Sequence, residues 1–153
     1  MAEPYDPTAP SAEPRVDRLE RGRTPPLPPA EARRLFVDGV ALFNGARYWH
    51  AHEVWEALWR AGPDAERDFY QGLIQVAAGL LHLQRRNARG ARSKLAEGVV
   101  KLERYMPSHQ GIVVNELVRR VRGILGELES GFLPYLIPPV IRFAELEADD
   151  LDR

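Results

Sequence analysis

His52, Glu53 and Glu56 fall close together in a helix-forming run, Trp49-His50-Ala51-His52-Glu53-Val54-Trp55-Glu56-Ala57-Leu58-Trp59. A second run, from Phe69 to His82, sets Gln71, Gln75 and His82 among apolar residues. Imidazole and carboxylate groups are ligands for borderline divalent ions such as zinc, manganese or iron. His52, Glu56 and His82 could supply a two-His/carboxylate set, with Glu53 left as the base for a metal-bound water, whose pKa falls to about 7 on zinc. The string His-Glu-x-x-Glu departs from the zincin motif His-Glu-x-x-His, because Glu56 stands where the second histidine ligand belongs. The competing reading is structural. Burying His, Glu and Gln costs free energy unless each finds a partner, and a network that satisfies itself fixes helix register without doing chemistry. A structural or ligand-binding cluster is the favoured reading, and a metal-dependent hydrolase is the alternative.

The elements that must position these groups are helices. At about 100° per residue, Asp68, Gln71, Gly72, Gln75, Gly79, His82 and Arg86 share one band of the third helix. Glycine inside a helix costs about 1 kcal/mol relative to alanine, so Gly72 and Gly79 imply that another helix backbone passes close by. The second helix is the expected partner, because His52, Trp55, Glu56 and Trp59 form its own band. Gln71, Gln75 and Asn87 would complete a polar network, with Asn87 also capping the next helix. Trp55, Trp59 and Tyr70 would wall a binding site, although such rings are more often core. His50 lies off the His52 band and His109 sits in a loop, so both are weaker candidates.

The chain has 153 residues, enough for one domain with a core. It holds no cysteine, which excludes disulfides, thiolate metal sites and cysteine nucleophiles. The apolar stretch from Leu73 to Leu83 is broken by Gln75 and His82, and it falls short of the roughly 20 residues a membrane span needs. No secretory leader is readable. A cytoplasmic protein without membrane contact is expected. Residues 1–29 carry eight of the thirteen prolines and read as a disordered arm. Residues 30–131 read as a helical bundle domain, and 132–153 as an extended proline-containing segment with an acidic tail. Helices are expected from about Ala30 to Phe43, Tyr48 to Arg60, Asp64 to Arg86, Ala88 to Tyr105 and Ile112 to Glu129. The stops come from Asn44-Gly45, Gly62-Pro63, Asn87 and Pro107. No strand pair is evident, so the class is all-α, an antiparallel bundle of about five helices.

Charge is uneven along the chain. Arg85, Arg86, Arg89, Arg92, Lys94, Lys101, Arg104, Arg119, Arg120 and Arg122 face only Glu97, Glu103 and Glu116 within residues 85–122, while the end of the chain is acidic. Only Tyr105 interleaves the basic residues, which argues for a solvated basic face over a nucleic-acid surface. Anion or nucleic-acid binding through 85–122 is kept as a further alternative, and an unidentified small ligand is the expected partner.

Four strings occur in order: Phe43-Asn44-Gly45, His52-Glu53-x-x-Glu56-x-x-Trp59, Phe69-Tyr70-Gln71-Gly72-Leu73-Ile74-Gln75 and His82-(x)4-Asn87-x-x-Gly90-Ala91. In them the chain resembles the bacterial and archaeal domain-of-unknown-function family numbered 309, over about residues 33 to 105. The resemblance implies a compact all-helical fold. Members have been labelled predicted metal-dependent hydrolases, and that label, carried over, points to His52, Glu53, Glu56 and His82.

Overall fold

The computed structural model describes residues 24–133 and 137–144. Five helices carry the fold: α1 (Pro29–Asn44), α2 (Tyr48–Ala61), α3 (Arg67–Gln84), α4 (Ala88–Leu102) and α5 (Val114–Glu129). The all-α class and the five helices are those expected from the sequence. Most of the expected disordered arm, and all of the chain after Ala144, lie outside the described residues. No helix among them is long and apolar enough to cross a membrane.

Local chemistry sets the helix ends. Pro29 opens α1, where a missing N–H costs nothing. The Asn87 side chain accepts the Gly90 N–H and caps α4. Pro63 and Pro107 stand in the connections after α2 and α4. α5 is strongly amphipathic, burying Val114, Leu117, Val118, Val121, Ile124, Leu125 and Leu128. α3 differs, for it is buried from Phe69 to Tyr70 and again without a break from Gly72 to Leu83. A helix apolar all round belongs in the middle of a fold, and α3 packs against both α2 and α4.

Two expectations are corrected. A strand pair does exist, because β1 (Ser108–His109) and β2 (Ile112–Val113) form a small antiparallel hairpin with Ser108 opposite Val113 and His109 opposite Ile112. Gln110 (φ 46°) and Gly111 (φ 81°) make its turn, and the fifth helix starts after it, at Val114. Alternation over so few residues gives no readable period, which is why the hairpin escaped. The glycine band of α3, second, packs on α4 and not on α2. A Cβ on Gly72 would lie 2.9 Å from Leu102 Cγ and 3.2 Å from the Gly98 carbonyl, and one on Gly79 would lie 2.6 Å from Leu95 Cγ. Gly72 faces Gly98 across the contact, and Gly98 is the residue whose backbone α3 approaches.

The described part of the C-terminal segment crosses from α5 to α1. Arg120 donates to the Ile137 carbonyl at 2.6 Å. The Asn44 side chain clasps Ile141, donating to its carbonyl at 2.9 Å and accepting from its N–H at 2.7 Å.

Candidate functional site

On α2, His52 is 6% exposed and stacks against Trp49 with ring centroids 5.2 Å apart. Its Nε2 lies 3.5 Å from Glu56 Oε2, and among the described residues neither ring nitrogen has a partner at hydrogen-bonding geometry. Glu56 instead receives a 2.6 Å hydrogen bond from Arg60, one turn on. Burial pushes the His52 imidazole below its ordinary range, and the attraction of Glu56 and of exposed Glu53 only partly opposes this. His52 is therefore a neutral, buried ring beside a carboxylate whose charge is taken up by an arginine.

On α3, Gln75 is buried and points to α4. Its Nε2 donates to Glu97 Oε2 at 3.1 Å, and its Oε1 accepts from Lys101 Nζ at 2.8 Å. Glu97 Oε2 also lies 3.4 Å from Lys94 Nζ, on a lysine only 4% exposed. Lys94, which in sequence belongs to the basic stretch 85–122, is thus part of this buried contact. The signal that would have found it is the spacing of Lys94, Glu97 and Lys101, which puts all three on one stripe of α4 opposite Gln75. Gln71 is half-buried one turn before Gln75.

His82 closes the other end of α3. Its Nδ1 lies 3.2 Å from Asn87 Nδ2, and since an amide nitrogen only donates, Nδ1 must be the acceptor, with the proton of the neutral ring on Nε2. Asn87 in turn accepts from the Gly90 N–H at 3.0 Å and gives its own N–H to the His82 carbonyl at 2.8 Å. Burial lowers the His82 pKa first, and Lys94 and Arg85 lower it further. One side-chain amide thus ties the end of α3 to the start of α4.

The aromatic candidates separate. Trp55 is fully buried against Gly39 of α1, with its indole N–H 3.4 Å from the Phe36 carbonyl. Trp59 is nearly as buried. Tyr70 lines a cavity, about 330 Å³ and mostly apolar, with Leu27, Ala32, Leu58 and Pro63. Its hydroxyl accepts from Gln110 Nε2 at 2.9 Å, and burial raises its pKa. His109, set aside as a loop residue, lies 2.6 Å from Glu66 Oε2 and packs edge-on against Phe69 at 4.6 Å. It pins the hairpin to the turn before α3.

The structure therefore brings together His52 with Glu56, Gln75 with Glu97 and two lysines, and His82 with Asn87. The residues picked out as metal ligands do not form one donor set. His82 is engaged with Asn87 at the α3–α4 junction, and among the described residues no group of three or more His, Cys, Asp or Glu side chains is placed to hold a metal ion.

The two buried imidazoles give a pH signature. Folding lowers the pKa of both His52 and His82 from the ordinary histidine value of about 6.5. Between the folded and unfolded values the unfolded state binds more protons, so stability rises with pH in that window. The contribution is complete above about pH 6.5 and is lost as pH falls through the lowered folded values. Urea midpoints measured from about pH 7.5 to 5 are expected to drop, and to drop less in H52F/H82Q. The same slope in both proteins would remove these histidines as its source.

The chain is 25% identical over 101 residues to the "Uncharacterized protein YpuF" of Bacillus subtilis (strain 168), covering 63% of this chain and 58% of that protein. It thus spans less than two thirds of the length of the curated relative it matches. Residues 36–93 match the family model described as Domain of unknown function (DUF309), as the four motif strings led one to expect. The stretch that matches the DUF309 family contains His52, Glu56, Gln75, His82 and Asn87.

Proposed function

We propose that this chain is a non-catalytic helical module whose buried His, Glu and Gln groups hold its helices in register, and which acts by binding. The observation that carries this reading is the partition of the polar groups. His82 and Gln75 serve separate contacts, His82 with Asn87 at the α3–α4 junction and Gln75 bridging to Glu97 and Lys101 along the same helix pair. Groups occupied in this way fix geometry, and they are costly to disturb. The apolar cavity beside Tyr70 has a volume at the lower end of the range of small-molecule sites.

A second reading has one observation in its favour. The His52 ring is buried beside Glu56 with no partner at hydrogen-bonding geometry among the described residues, Glu53 being adjacent, and a metal-dependent hydrolase would draw on these three residues. One experiment separates the two. Purified protein is assayed for zinc, manganese and iron by mass spectrometry, alongside N87A and H82A in urea denaturation. The register reading expects no stoichiometric metal and a loss of about 1–3 kcal/mol in each variant, from a missing cap and from unpaired buried groups. Stoichiometric metal in the parent that disappears in H52A, with the fold intact, would replace it with the hydrolytic reading.

A further inference from the structure

We infer that the end of the bundle formed by the α1–α2 turn and the α3–α4 junction is a binding surface for the phosphodiester backbone of nucleic acid. Gln84 at the end of α3 donates to the Ala46 carbonyl at 3.1 Å, which brings the two connections together. The stretches that build this end contain no acid, for the chain has no Asp or Glu between Asp38 and Glu53, or between Asp68 and Glu97. They do contain Arg47, Arg85, Arg86, Arg89 and Arg92, every one exposed.

Most of the described basic residues elsewhere are spent on carboxylates and carbonyls. Arg60 pairs with Glu56, Lys94 with Glu97, Arg104 with Asp68, Arg122 with Glu103 and Arg142 with Glu116, while Arg33 and Arg120 donate to backbone carbonyls. Arg47, Arg86, Arg89 and Arg92 have no carboxylate partner among the described residues. Buried His82, beneath this end, feels the positive charges of Lys94 and Arg85. The start of α4 adds the positive end of a helix.

The class of partner follows from what this surface has and lacks. Guanidinium forks suit phosphate oxygens, and several of them spread over two connections suit a chain of phosphates better than one. Among the described residues the exposed large apolar ones, Val37, Val100, Met106, Phe132, Ile137 and Val140, all lie outside these stretches. A membrane-surface binder needs apolar side chains to insert, and a protein interface needs apolar or aromatic anchors at its centre. Backbone contact alone needs neither, and it is tolerant of sequence.

The test is fluorescence anisotropy of the full chain with labelled RNA and duplex DNA of about 20 nucleotides or base pairs. About four phosphate contacts imply affinity falling roughly 10²-fold between about 50 and 200 mM salt. R86Q/R89Q/R92Q should bind at least about tenfold more weakly, with a salt slope flatter by about 3. R104Q/R119Q/R122Q, of the same net charge, should bind within about twofold of the parent, both triples being checked for unchanged helicity. No binding at low salt overturns the assignment, as does equal loss in the two triples. Binding to phosphatidylserine vesicles without nucleic-acid binding also overturns it.

Discussion

Gly98→Ala is expected to destabilise the fold by about 2–3 kcal/mol in urea denaturation, although alanine is the better helix former. The reason is what the added methyl meets. A Cβ at Gly98 would lie 2.9 Å from the Gly72 carbonyl oxygen and 3.0 Å from the Val76 backbone nitrogen. Those are backbone atoms of α3, and they can yield only if the whole helix moves away from α4. The gain of about 1 kcal/mol in propensity is too small to offset that. Gly123 and Gly126, on α5, supply the control, because a Cβ at either has nothing within 4 Å. Alanine at those two positions is expected to stabilise by about 0.5–1 kcal/mol each. A stabilised Gly98→Ala would mean that α3 and α4 do not cross where described.

The second large effect lies at the α1–α2 contact. A Cβ on Gly39 would sit 2.1 Å from Trp55 Nε1, inside the indole. Trp55 is fully buried and tilted against Phe43 at 5.8 Å, so the ring has little room to swing. Gly39→Ala is expected to cost about 2–3 kcal/mol through overpacking. Trp55→Phe should cost about 1–3 kcal/mol through the space left behind. Because the smaller ring vacates the place the new methyl needs, the double variant should be less destabilised than the sum by at least about 1 kcal/mol. Additive losses would show that the indole and Gly39 are not in contact.

The number and the approximate limits of the helices were legible because they rest on local chemistry. Gly45, Gly62, Asn87 and Pro107 punctuate the chain, and the apolar stripe of α5 has a clean helical period. Which helix faces which was not legible in the same way. The band holding Gly72, Gln75 and Gly79 was correctly placed on one side of α3, but a helical wheel carries no information about the neighbour. Gly98 held the missing clue, since a close crossing wants a small residue on both helices, and α2 has none opposite in its band. Lys94 was misplaced for a related reason, because its burial depends on Gln75 and Glu97 converging from two helices. Asn87 was read as a cap from its position alone, and it caps α4. Its second role, holding the His82 ring, needs the turn between them to bend as it does.

The main packing partners among the five helices are neighbours in sequence, α1 with α2, α2 with α3, α3 with α4 and α4 with α5. Assembly can therefore proceed by adding one hairpin at a time, with short loops to close and little entropy lost before each contact forms. The Asn44 clasp on Ile141 is of another kind, joining residues separated by 97 positions. It has nothing to grip until α1 and the segment beyond α5 are both in place. Together with the edge-on Phe36–Phe143 contact, that asparagine joins the first helix to the segment that follows the last, so the two ends of the row are held to each other.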